Sequence, residues 1–204
     1  MNVHLQASGI CMRTVDVKPK VERAAVELFA AHGVDGVSIG DIATAAGVSQ
    51  GALYRHYPSK EELAWSLFSE AYLRAGGEFD EIRARVAGLA PRVGAMVEHF
   101  CALYDDDPAL FRFMLIAQHG LLPRITEDQR TVIDVLADTV AAAVATEETP
   151  PVEPLAAAAV IIGIVLQTAV FHIYGSIEGP LMPRAPSLSH AALAAVTALA
   201  KDEQ

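Results

Sequence analysis

The sequence predicts an all-α protein built from a small N-terminal three-helix domain and a larger helical domain behind it. Three observations carry this prediction. No run alternates apolar and polar residues long enough to propose a strand. Hydrophobic residues make up 52% of the chain and aromatics only 6%, with alanine abundant, a composition that favours helix bundles over sheets. Apolar residues also recur at helical spacing in segments divided by proline, glycine and acidic residues. The 204 residues suffice for a small unit plus one helical domain.

The segment from Ser38 to Lys60, SIGDIATAAGVSQGALYRHYPSK, is the most informative. Ser38 precedes Asp41 by three residues, so its hydroxyl and that carboxylate can satisfy orphan backbone donors at a helix start, with Val37 and Ile42 placed for a hydrophobic staple. The helix beginning at Ile39 turns Ile42, Ala45 and Ala46 toward a core and offers small Ala43 for a close crossing. It stops at Gly47, which accepts the left-handed conformation without a Cβ penalty. Ser49 caps a second helix predicted over Gln50 to Tyr57, with Leu53 and Tyr57 on one face. A helix this short gains little from its own burial and is better explained as a reading head on a scaffold, the second helix of a helix-turn-helix that reads DNA. Pro58 forbids continuation, and Ser59-Lys60-Glu61-Glu62 is a second capping box that opens a long helix. A helix N-terminus with Lys60 in its first turn suits a phosphate.

From Lys20 to about Leu63 the chain resembles the DNA-binding domain of the TetR family of bacterial transcriptional regulators, through AAVELFAAHGVDGVSIGDIA, AGVSQGALYRHY and SKEEL. The match covers about a quarter of the chain. It implies a DNA-binding domain over 18–60 behind an N-terminal arm, 1–17, and a helical ligand-binding and dimerisation domain over 61–204. Residue by residue, it implies that Ser38 and Lys60 touch phosphate from helix starts, with Ser49 at the start of the reading helix, and that Tyr54 and His56 hold the DNA backbone from that helix. Gln50, Ala52 and Arg55 are expected to face the groove, Gln50 through an amide suited to adenine and Arg55 through a fork suited to guanine or phosphate. Gly51 lets the backbone approach closely.

A net charge of −10 looks wrong for a DNA binder until it is divided. Residues 1–60 sum to +1 and the remainder to −11, so the acidity belongs to the second domain. Since +1 is modest, affinity must come from placed contacts and dimerisation rather than a general basic field. Cys11 and Cys101 are too few and too far apart for a disulfide framework or a metal site, which points to a reducing cytoplasm. The arm lacks a basic cluster and an apolar core, Met12 is an alternative start, and Arg13, Lys18 or Lys20 can add a minor-groove or phosphate contact.

Beyond Ser59 the helix is expected to run through Leu63, Leu67, Phe68 and Tyr72 and to break or kink at Gly76-Gly77, with a short helix following to about Ala90. Pro91 is expected to start the next, bearing Val93, Met96, Val97, Phe100, Cys101 and Tyr104. Asp107 caps another with Pro108 at its first position, leading to His119 and Gly120. Thr126 with Glu127 and Asp128 starts one ending near Ala145, Pro154 to Tyr174 forms a long apolar helix, and Ser187 to Ala200 the last.

The 24 residues from Pro154 to Ile177 contain no charged side chain, long enough to span a bilayer. Gln167, Thr168 and His172, the lack of an aromatic belt and the lack of basic flanks argue against a membrane. A helix apolar all round can equally be buried on one side in its own domain and on the other in a partner. The family resemblance implies the second, a homodimer through the two C-terminal helices.

No phosphate loop, nucleophile elbow or metal-ligand spacing is present, and Asp105-Asp106-Asp107 reads as a turn and cap rather than a calcium loop, so no enzyme, cofactor or metal is expected. The leading expectation is a homodimeric repressor on a palindromic double-stranded operator, with reading helices about 34 Å apart, released by a small molecule. An effector-independent or activating DNA-binding regulator and a membrane-associated sensor are the alternatives. In this family Phe68, Phe100, Tyr104, Phe111, Met114, Gln118, Gln167 and Phe171, together with Tyr72, fall on helices that surround a central cavity. Their bulk and scarcity of polar groups suit an apolar or aromatic ligand, and Gln118 and Gln167 are amides in need of partners.

Overall fold

The computed structural model describes residues 17–202, so most of the expected arm, with Cys11, Met12 and Arg13, lies outside the described residues. The fold is all-helical: α1 (Val17–His32), α2 (Ile39–Ala46), α3 (Gln50–Tyr54), α4 (Lys60–Arg85), α5 (Leu89–Asp106), α6 (Pro108–Leu121), α7 (Val132–Ala145), α8 (Pro154–Ile173) and α9 (Ala185–Asp202), with single 3-10 turns at Leu122–Arg124 and Met182–Arg184.

Two hydrophobic cores organise these helices. The first gathers Val21, Ala25 and Phe29 of α1, Ile42 of α2 and Leu53 of α3 around Leu63 and Phe68 at the start of α4. It also takes in Phe113 and Ala117 of α6, with the Phe29 and Phe113 rings 5.5 Å apart. Packing therefore does not divide at residue 60, because α6 seals the underside of the N-terminal unit. Truncating Phe113, fully buried at this seam, costs about 3–5 kcal/mol by the usual scale for core aromatics. The second core joins the C-terminal half of α4 with α5, α7, α8 and α9 through Phe79, Val93, Tyr104, Leu136, Ile161 and Val165.

Several elements depart from expectation, each for a physical reason. The reading helix ends at Tyr54 rather than Tyr57. Pro58 disfavours helical backbone at Tyr57, whose hydroxyl instead donates to the Glu22 carboxylate at 2.6 Å. Burial and that carboxylate raise the Tyr57 pKa well above the ordinary tyrosine value, so the hydroxyl stays protonated. α4 runs unbroken through Gly76-Gly77. Gly76 serves close approach instead: a Cβ there would lie 2.4 Å from the Arg130 carbonyl oxygen, where the segment before α7 crosses. α5 starts at Leu89, making Pro91 its third residue, a first-turn position where a missing N–H costs nothing. Thr126 opens only a turn, with its N–H on the Gln129 side chain at 2.9 Å. The N-cap of α7 lies five residues later, where Thr131 and Asp134 form a complete capping box just ahead of Val135 and Leu136.

α8 is long and apolar enough to cross a membrane. Ala157, Ala158, Ile161, Val165 and Ala169 pack it onto its own domain, while Leu155, Ala159, Gly163, Gln167 and Phe171 form an exposed stripe. Ala191, Ala194 and Ala198 leave a small-residue exposed row on α9.

Candidate DNA interface and helical-domain cavity

The helix-turn-helix is locked by its caps. Ser38 Oγ accepts from the Asp41 N–H at 3.2 Å, and the Asp41 carboxylate accepts from the Ser38 N–H at 2.9 Å and its hydroxyl at 2.6 Å. These hydrogen bonds hold the Asp41 carboxyl below the usual range. Gly47 closes α2 at φ 67°, with the Val48 N–H returning to the Ala43 carbonyl at 2.9 Å. Ser49 caps α3 by accepting from the Ala52 N–H at 3.2 Å. Ser38, Ser49, Gln50, Gly51, Tyr54, Arg55 and His56 are each exposed, which leaves these expected DNA-contacting residues accessible to a partner.

Two expected residues do not belong with them. Ala52 is buried beside Leu53, because α3 must turn two adjacent positions inward to hold to the core, so it cannot read a groove. Lys60 does not project toward a phosphate. Its ammonium donates to the carbonyls of Val34 at 3.0 Å, Val37 at 3.0 Å and Asp35 at 3.4 Å, committing all three donors to the α1–α2 connection. Gly40 is a residue that sequence reasoning missed. A Cβ at this position would lie 3.1 Å from Gln50 Nε2, so the Gln50 amide rests over the first turn of α2.

The two cores communicate through α1 and α6. Arg23 on α1 pairs with Asp107 at 2.8 Å, while the other Asp107 oxygen accepts from the Leu110 N–H at 3.0 Å as the cap of α6. Lower down, Arg124 reaches Glu62 at 3.0 Å and stacks over Trp65 at 4.3 Å, fastening the end of α6 to the start of α4.

Between α4, α5, α6, α7 and α8 lies a cavity of about 320 Å³. Phe68, Tyr72, Phe100, Phe111, Met114 and Gln118 line it as expected, joined from α8 by Ile162 and Leu166. Three expected lining residues do not. Gln167 and Phe171 are exposed on the outer stripe of α8, since Ile162 and Leu166 are the positions that turn inward. Tyr104 sits behind the wall, its ring edge-on to Phe111 with centroids 5.1 Å apart and its hydroxyl sharing a 2.6 Å hydrogen bond with His172 Nδ1. The polar lining that the sequence did not reveal is Arg74, Glu78 and Asp107.

Residues 23–67 match the family described as bacterial regulatory proteins, tetR family. MftR of Mycobacterium tuberculosis is 42% identical over 66 residues, 32% of this chain and 33% of that protein. The transcriptional regulator CymR of Pseudomonas putida is 32% identical over 124 residues, 59% of this chain and 60% of that protein. The chain thus spans between 33% and 60% of the length of these curated relatives. Among solved structures, the FadR regulator of Bacillus subtilis in complex with stearoyl-CoA superposes with a TM-score of 0.73 at 19% identity, over 86% of this chain and 97% of that one. The TetR family regulator PfmR of Thermus thermophilus superposes with a TM-score of 0.70 at 22% identity, over 86% and 95%. The doubly capped helix-turn-helix over the matched residues and these relatives agree that residues 23–67 form a DNA-binding domain similar to that of the TetR family of bacterial regulatory proteins, and the all-helical fold of the described residues is the one shared with these solved regulators.

Proposed function

We propose that this protein is a homodimeric repressor that occupies a palindromic operator in the cytoplasm and leaves it when a small, largely apolar molecule fills the helical domain. The observation that carries this reading is the cavity's position. α4 and α6, two of its walls, also supply Leu63, Phe68, Phe113 and Ala117 to the core beneath the reading helix. An occupant that pushes these helices apart acts directly on the base of the DNA-binding unit, which is how differential binding shifts a two-state protein. An effector-independent regulator calls for a sealed core, and the open cavity stands against it.

In this reading residues 18–60 bind DNA, with Gln50 and Arg55 meeting base edges, Gly51 allowing close approach, and Ser38, Ser49, Tyr54 and His56 holding backbone. Residues 61–204 bind the effector and a second copy. The exposed stripe of α8, with small Ala159 and Gly163 between apolar Leu155 and Phe171, and the alanine row of α9 suit a two-fold helical interface with close backbone approach, which covers the apolar face that would otherwise suggest a membrane. Nuclease footprinting on DNA selected from a random pool tests the reading. A two-fold protein protects an inverted repeat with half-sites about 34–36 Å apart, and light scattering gives a dimer at micromolar concentration. A monomer protecting an asymmetric site refutes it.

A further inference from the structure

The charged groups of the cavity are unequal in what they can still bind. Arg74 is the one cation among the described lining residues, and its half-exposed side chain places it where the cavity meets solvent. Its guanidinium makes no hydrogen bond; the nearest carboxylate, Glu78 Oε1, stands at 4.0 Å from Nε. The two carboxylates of the lining are occupied. Glu78 Oε2 pairs with His99 Nε2 at 2.9 Å. Asp107 holds Arg23 with one oxygen and the Leu110 N–H with the other. Nearly everything else that faces the space is apolar, including Phe68, Phe100, Phe111 and Leu166. A cationic ligand would meet Asp107 and Glu78 already paired with Arg23 and His99, and would sit beside the positive charge of Arg74. An anion finds a planar fork with free donors, and a carboxylate matches that fork in two parallel hydrogen bonds.

We propose that the effector is an apolar molecule with a single carboxylate, its body inside the cavity and its carboxylate on Arg74. This rests on the ligand-released reading above and adds to it the charge and the placement of the ligand. At a volume share of about 30 Å³ per non-hydrogen atom, the cavity holds roughly ten such atoms, the size of octanoate.

The test titrates the full chain on its operator with octanoate, 1-octanol and octylamine, following operator release and thermal shift, in wild type, Arg74→Gln and Arg74→Lys. Octanoate is expected to act about tenfold more strongly than octanol, with octylamine weakest. Arg74→Gln should reduce octanoate to the level of octanol while leaving octanol unchanged, and Arg74→Lys should retain part of the preference. Octanoate no better than octanol in wild type, a preference for octylamine, or an octanoate preference that survives Arg74→Gln each overturns the proposal. Failure of all three compounds to bind wild type overturns the ligand-released reading itself, a result distinct from the wrong headgroup.

Discussion

The neighbouring glycines of α4 form a matched pair of perturbations. A Cβ on Gly76 would meet only backbone: the Arg130 oxygen at 2.4 Å, the Arg130 carbonyl carbon at 3.1 Å and Thr131 Cα at 3.1 Å. None of these atoms can rotate away, so Gly76→Ala must push α4 from the start of α7, two walls of the cavity, and overpacking of this kind costs about 1–3 kcal/mol. A Cβ on Gly77 meets nothing within 4 Å. Both changes gain the same helix propensity, about 1 kcal/mol, because both sites lie inside α4. That gain cancels in the comparison, so Gly77→Ala should exceed Gly76→Ala in stability by about 1–3 kcal/mol. For a chain of this size the gap corresponds to roughly 2–12 °C in melting temperature. Thermal unfolding at one fixed protein concentration measures it, since a dimer's midpoint moves with concentration. Equal melting temperatures for the two variants would show that α4 and the segment before α7 do not touch, and the account of why α4 stays unbroken would fall.

Three further outcomes follow from the DNA-binding unit. Lys60→Ala should lower stability by about 1–2 kcal/mol through loss of charge-assisted hydrogen bonds to the α1–α2 connection, yet leave the salt slope of operator binding unchanged; a slope reduced by about one unit in a fully stable variant restores Lys60 as a phosphate contact. Gln50→Ala should cost about 1–3 kcal/mol on the operator and relax preference at one position per half-site, with Gly40→Val altering preference at that same position by displacing the amide; unchanged sequence selection in both removes Gln50 from base readout. The Asp41 carboxyl titrates below an unfolded-chain aspartate, so the stability it lends α2 is present above the ordinary carboxylate range and is lost as pH falls through the depressed value. Titration of the Asp41 carboxyl by NMR checks this, and an ordinary aspartate midpoint refutes the cap's contribution.

What could be seen in the sequence was local. Ser38 with Asp41, Gly47, Ser49 and Asp107 all act within four residues of themselves, and each caps the helix that the pattern assigned to it. Glycine was ambiguous for a physical reason: at Gly76 the residue permits contact with a segment far along the chain, and nothing in Gly76-Gly77 distinguishes that use from a break. Asp105 is similar, since its carboxylate accepts from the Leu181 and Met182 N–H groups at 2.8 and 2.9 Å, a tertiary tether with no local signature. On the cavity side, Phe100, Phe111 and Met114 were expected through the family resemblance, which places their helices around a cavity, and they do line it. α8 is apolar nearly all round, so its periodicity could not say that Ile162 and Leu166 look inward and Gln167 and Phe171 outward. Arg74 escaped notice because a charged residue on a long helix reads as a solvated face until the fold places a cavity beside it.

The coupling between cavity and operator is the central claim, and one titration tests it most directly. Operator affinity is measured by fluorescence anisotropy with and without a saturating apolar compound that raises the protein's melting temperature, in wild type and in Ala75→Phe, whose ring projects into the cavity space. The account predicts at least a tenfold loss of wild-type operator affinity, a coupling of about 1.4 kcal/mol, and no response to the compound in Ala75→Phe. Equal release from both proteins, or binding of the compound in the cavity with operator affinity unchanged, would contradict it.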